Sequence, residues 1–181
     1  MMTKYHLPFK IFSPISDRYK NETIMFTKHK GSYFCVKIVG ESAILWRASR
    51  FCDGDCMLCP DGTKRYKKRI PLAETTQIFE AEFWVVWNNI KCRADLSTNK
   101  KYVRLYLDNK QDDLAIANKF KWDYKTNQWR LTVPLQACTK YFLMKKNVYP
   151  GLKKDKLKKL SMKYWIEMYE KLNFDVRGRL Q

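Results

Sequence analysis

Between Ser32 and Gly40 the run SYFCVKIVG places Phe34, Val36 and Ile38 on one side and Tyr33, Cys35 and Lys37 on the other. That period of two is the mark of a half-buried strand. Beyond Gly40-Glu41 the run ESAILWRAS continues, with Ile44, Trp46 and Ala48 opposed to Leu45 and Arg47. Two alternating runs about a glycine turn predict a β-hairpin. Matching the apolar faces makes paired residue numbers sum to 80, so that Phe34 faces Trp46 and Val36 faces Ile44; a sum of 81 is the neighbouring register. A third strand is predicted in QIFEAEFWVVWN, with Phe79, Ala81, Phe83, Val85 and Trp87 against Glu80, Glu82, Trp84 and Val86. A fourth is KKYVRLYLDN, with Tyr102, Arg104 and Tyr106 opposite Val103, Leu105 and Leu107. DDLAIANKF reads as a short helix opening on Asp112 and Asp113. WDYKTNQWRLTVP reads as a turn and a fifth strand ending at Pro134.

The two ends of the chain have a different texture. Residues 1–30 contain Pro8 and Pro14 and no clean period, which predicts an arm with one short strand at most. Past Pro150-Gly151, Leu157, Leu160, Tyr164, Met168 and Leu172 recur at helical spacing, with lysines on much of the other face. The expected organisation is an N-terminal arm (1–30), a β domain (31–138) carrying a cysteine loop at 52–70, and a basic helical extension (139–181). Five strands and one short helix suggest a mainly β protein, a small barrel of the oligonucleotide-binding (OB) type. A β-sandwich or an irregular α+β fold would leave a similar trace.

Charge narrows the function. Thirty-six Lys and Arg against eighteen Asp and Glu give this 181-residue chain a net charge of +18. Such a field attracts polyanions, nucleic acid first among them. There is no apolar run of transmembrane length and no leader-like start. The expectation is a cytoplasmic protein without a membrane partner, in the host cytoplasm if the source is a virus.

The six cysteines are too sparse for a disulfide scaffold, so reduced thiols or metal ligands are expected. Cys52, Cys56 and Cys59 form C-x3-C-x2-C, and structural zinc takes four soft N/S ligands. The remaining candidates for the fourth place rank as His29, then Cys35, then Cys92. His29 leads because the register summing to 81 would set it opposite Cys52. A thiol-redox motif is disfavoured by Pro60-Asp61-Gly62, which denies the knuckle a following helix, and by Asp53 and Asp55, which disfavour a thiolate. A catalytic zinc site would need an H-x-E or HExxH pattern, and none is present.

Lys64, Arg65, Lys67, Lys68 and Arg69 follow the cysteines and surround Tyr66. Aromatics are also abundant and interleaved with cations: Tyr33 beside Lys37, Tyr102 and Tyr106 around Arg104, and Trp84 on a mixed face. Rings stack on bases and cations follow phosphates, so this texture suits single-stranded nucleic acid, read without sequence preference. Stacking is expected of Tyr33, Trp84, Tyr102 and Tyr106. Phosphate neutralisation is expected of Lys37, Arg47, Lys64, Arg65, Lys67, Lys68, Arg69 and Arg104.

From Ile24 to Asn89 the order of these features resembles the helix-destabilising single-stranded DNA-binding proteins of tailed phages: a histidine, a β-hairpin, the CMLC knuckle, a Lys/Arg run, and the Trp/Phe-rich FEAEFWVVWNN. The resemblance implies an OB fold with one structural zinc held by one His and three Cys near the binding cleft. Carried over, the ligands are Cys52, Cys56, Cys59 and His29. Chains of that family end in an acidic tail, whereas this one ends in a basic segment. A second stretch, YLDNKQDDLAIANKFKWDYKTNQWRL, looks like a module of DNA-mobilisation and primase-associated proteins. There Tyr-Leu, a short helix, Trp122-Asp123 and Trp129 form a packing signature.

The expected function is therefore a non-enzymatic single-stranded DNA-binding protein of viral or mobile-element replication or recombination. RNA is a variant of the same chemistry. Replication or transcription proteins are candidate partners through the C-terminal helix. The alternative is a basic interaction or inhibitor protein, or an accessory subunit of a polymerase or transcription enzyme. Nuclease chemistry would have to use Asp53/Asp55, Glu80/Glu82 or Asp112/Asp113; two-metal chemistry needs converging carboxylates, and although Glu80 and Glu82 share a strand face, no other acid can be placed beside them.

Overall fold

A computed structural model describes residues 24–48, 56–58, 64–151 and 154–176, with side chains at all of these except 48, 56–58, 64–65 and 175. In chain order the elements are β1 (Met25–His29), β2 (Ser32–Val39), β3 (Ser42–Ala48), β4 (Cys56–Leu58), β5 (Lys64–Pro71), β6 (Ile78–Trp87), β7 (Ile90–Leu96) and β8 (Tyr102–Leu107). There follow α1 (Asp112–Ala117), β9 (Lys121–Asp123), β10 (Gln128–Pro134), β11 (Cys138–Tyr149), β12 (Lys156–Leu160) and α2 (Met162–Glu170), which runs into a π-helical turn at Lys171–Asp175. Among the described residues no helix is long and apolar enough to cross a membrane.

The chain divides into two compact units. Among the described residues, one comprises those up to Trp84 together with those from Lys140 onward, the other Val85–Thr139. In the first, the strands follow the order β4-β5-β3-β2-β1-β6-β11-β12, and every pairing with a described register is antiparallel. Its end strands β4 and β12 do not pair with each other, so the expected closed five-stranded barrel is not formed: this is an open antiparallel sheet. The extra strands are the reason. β1 lay in the predicted arm, β4 and β5 in the predicted loop, and β12 in the predicted helix.

The predicted β2–β3 hairpin is present, but in the other register. Cys35 pairs with Trp46, Val36 with Leu45 and Val39 with Ser42, so paired numbers sum to 81. A two-residue turn at Gly40-Glu41 forces this, with Gly40 at φ +57°, a conformation glycine adopts without cost. The inward face of β3 is therefore Ala43 and Leu45, not Ile44 and Trp46. These two pack with Phe34, Val36, Ile70 and Ile78 into one buried cluster, flanked by Met25, Ile38, Tyr66, Leu72, Val148 and Tyr149.

A second aromatic core lies under α2. Trp165, fully buried, meets Phe83 edge-on at 5.6 Å and Tyr141 at 5.9 Å, and its indole N–H donates to the Phe142 carbonyl at 3.1 Å. Tyr169 packs on Phe83 at 4.9 Å. The C-terminal segment is thus shorter in helix than its spacing suggests. Lys156–Leu160 is a strand hydrogen-bonded to β11, and the helix starts only after Ser161, whose hydroxyl caps it by accepting from the Tyr164 amide. Leu157 and Tyr164, placed in the predicted apolar stripe, are exposed, while Trp165 and Tyr169 are buried.

In the other unit β7, β8, β10 and β9 are neighbours in that order. β7 follows β6 through Asn88-Asn89, both at positive φ as a tight hairpin turn requires. As expected, β8 buries Val103, Leu105 and Leu107. The Trp-Asp…Trp signature is a packing device. Trp122 meets Trp129 edge-on at 5.3 Å, Trp129 donates to Asp112 at 2.6 Å, and buried Asp123 pairs with Arg130 at 3.0 Å.

Candidate nucleic-acid interface

Side chains directly opposite on antiparallel strands point to the same face. Reading across the first unit, Lys28 pairs with Tyr33, Phe26 with Cys35, Cys35 with Trp46, Lys37 with Ile44, Trp46 with Lys67, and Ile44 with Arg69. One face of β1, β2, β3 and β5 therefore carries Lys28, Tyr33, Lys37, Trp46, Lys67 and Arg69 together. Lys28, Lys37, Lys67 and Arg69 are exposed, and Tyr33 and Trp46 are half-buried, as suits rings anchored in a sheet with one side open. Phe26, Cys35 and Phe79 on the same face are buried.

The face continues onto β11 and β12. Lys145 lies opposite Lys156 and Leu143 opposite Lys158. The Lys145 ammonium sits 4.5 Å from the centre of the Phe79 ring and 5.4 Å from that of Tyr33, and reaches the Tyr33 hydroxyl at 3.4 Å. Lys28 at 5.8 Å and Lys171 at 6.0 Å also lie over the Tyr33 ring. Three ammonium groups thus share one aromatic ring. Burial lowers the pKa of Lys145, and Lys158, Lys28 and Lys156 push it further down, against an opposing contribution from Tyr164. Beside this ring is a cavity of about 160 Å³, lined by Tyr33, Leu143, Lys145, Lys156, Lys158, Leu160, Tyr164 and Met168.

Of the predicted contact residues, Tyr33, Lys37, Lys67 and Arg69 are brought together. Arg47, Lys68 and Trp84 are on the other face. The Arg47 guanidinium lies over Phe34 at 5.2 Å, and Trp84 donates to Glu82 at 3.2 Å, whose other oxygen holds Lys146 at 2.6 Å. Lys64 and Arg65 lie on the β5 backbone opposite Leu58 and Met57; their side chains are outside the described ones. Tyr102, Arg104 and Tyr106 belong to the other unit. Tyr106 is no stacking platform there: its ring is buried and its hydroxyl donates to Asp95 at 2.7 Å, so burial and that carboxylate raise its pKa. Arg104 pairs across the ladder with Asp95. Sequence reasoning missed Lys28, Trp46, Lys145, Lys156, Lys158 and Lys171. No local period signals the β12 lysines, since the leucines of KLKKL stand three apart, at helical spacing.

The metal candidates are only partly visible. Cys52 and Cys59 lie outside the described residues, and Cys56 is described by its backbone alone, at the start of β4 opposite Tyr66. Among the described residues no three His, Cys, Asp or Glu side chains converge as metal ligands. His29 does not extend the β2–β3 ladder toward the loop, because the chain reverses at Lys30-Gly31 and His29 pairs with Ser32. Three strands lie between β1 and β4, a separation of about 19 Å across a flat sheet. The His29 ring instead meets Phe34 edge-on at 6.3 Å. Cys35 is buried on the face described above. Cys92, in the other unit, is buried near Cys138; burial pushes both thiols up to about 12.

Compared with known proteins, the chain matches no protein-family model, no curated sequence and no solved structure.

Proposed function

We propose that the chain binds single-stranded DNA without sequence preference, in viral or mobile-element replication or recombination. The observation that carries this is the single sheet face on which Tyr33 and Trp46 alternate with Lys28, Lys37, Lys67 and Arg69. Rings a strand or two apart accept successive bases, and the flanking cations follow the backbone. The resemblance to helix-destabilising phage proteins supports the same direction, and this mode of binding does not depend on a closed barrel. Single-stranded RNA would satisfy the same chemistry.

Titration with a mixed-sequence single strand and with its duplex tests the proposal. The single strand should bind more tightly, and Trp46→Ala should weaken it about tenfold, since one base stack is worth about 1–3 kcal/mol. Equal or tighter duplex binding would remove the single-strand preference. Within the same proposal, Cys52, Cys56 and Cys59 supply soft donors for one structural zinc, a staple for the segment between β3 and β5. Metal analysis should find one zinc per chain, lost in Cys56→Ser.

The alternative of a protein-interaction module has its own observation: Leu114 and Ile116 of α1 and Tyr124 are exposed apolar side chains. Tight binding to a polymerase or transcription enzyme, with none to nucleic acid, would favour it.

A further inference from the structure

Lys145 and Lys156 stand directly opposite each other on β11 and β12, and Lys158 follows two residues along the same face. Like charges directly opposite destabilise a strand pair. Among the described residues none of the three forms an ion pair with a carboxylate. Lys145, half-buried, and the exposed Lys156 and Lys158 line one cavity together with the buried Leu143, Leu160 and Met168 and with Tyr33 and Tyr164. Nothing in hydrophobic packing asks for this arrangement. An anion of high charge density would turn the mutual repulsion into shared attraction.

Size and charge define that anion. The cavity of about 160 Å³ has the liquid volume of about five waters. That admits a phosphoryl group with part of a sugar. A phosphomonoester also carries about −1.5 to −2 at pH 7, more than the single charge of a backbone diester. Lysine ammoniums are the compact point charges suited to it, and the two tyrosines offer ring faces for the attached nucleoside.

We propose that this pocket binds a nucleoside phosphomonoester, the phosphate at the end of a single strand or that of a free mononucleotide. The strand-end form rests on the single-strand function proposed above; the mononucleotide form does not.

The test uses the full chain and one mixed-sequence oligonucleotide with hydroxyl ends, a 5′-phosphate or a 3′-phosphate, alongside adenosine monophosphate and adenosine. One phosphorylated form should bind about tenfold more tightly than the hydroxyl form, as a charge-assisted contact implies. Adenosine monophosphate should bind where adenosine does not, and Lys156→Gln/Lys158→Gln should bring the ratio between oligonucleotides to about one. Equal binding of all three oligonucleotides with no binding of the monophosphate overturns the pocket and leaves the single-strand function standing. Binding of the monophosphate, lost in the double variant, with no oligonucleotide bound upholds the pocket and overturns the single-strand function. Binding of phosphoinositide-containing vesicles, lost in the double variant, with no monophosphate bound also overturns the proposal, in favour of a lipid surface.

Discussion

At the scale of single residues, environment decides what the same side chain does. Tyr33 and Tyr106 are both strand tyrosines beside cations in the sequence. Tyr33 keeps part of its ring open beneath three ammonium groups, whereas Tyr106 is buried against Asp95. The cysteines divide in the same way. Cys92 and Cys138 are buried apolar side chains with pKa values raised from 9.0 to about 12. Below pH 9 these thiols are protonated in both folded and unfolded chains. Between about pH 9 and 12 the unfolded chain sheds the protons that the folded chain retains. Stability is therefore lost as pH rises through that window. Urea midpoints from pH 8 upward should fall, and fall less steeply in Cys92→Ala/Cys138→Ala; equal slopes would show that these thiols do not contribute.

At the scale of elements, the C-terminal segment shows pattern and packing in competition. KLKKL carries its leucines three apart, the helix period, yet its backbone hydrogen-bonds to β11 as a strand, which leaves Leu160 buried and Leu157 exposed. Ser161 then caps a helix whose buried residues are Trp165, Met168 and Tyr169. Most of the helix's hold on the sheet runs through Trp165, which touches Phe83, Tyr141 and Tyr169 and donates to the Phe142 carbonyl. Trp165→Ala should cost about 3–5 kcal/mol, visible as a large drop in the denaturation midpoint. A loss under about 1 kcal/mol would mean that α2 is only loosely docked. Lys145→Met removes a half-buried charge facing Lys156. It should stabilise the protein by about 1 kcal/mol or less, and loss of stability would show that the lysine is structurally required.

At the scale of the whole molecule, a net charge of +18 draws polyanions from a distance, but local placement sets how many phosphates are neutralised. If Lys28, Lys37, Lys67 and Arg69 each meet one phosphate, log affinity for a single strand should fall with log salt at a slope of about −3. Lys67→Gln/Arg69→Gln should reduce that slope by about half. A slope near −1 would mean that the face makes far fewer contacts than its charges allow. The sequence by itself determined the β-rich character, the β2–β3 hairpin, strands β6, β8 and β10, helix α1, and the attraction to anions. Each of these is written in local alternation, turn residues or charge, which need no distant partner. Only the tertiary structure decided the register. A two-residue turn at Gly40-Glu41 moved Trp46 to the face of Tyr33 and Lys37, and the reversal at Lys30-Gly31 carried His29 onto β1. It also decided that Lys145, Lys156 and Lys158 line one cavity beside Tyr33, because pairing between strands far apart in sequence depends on which edges are free, and no local period records that.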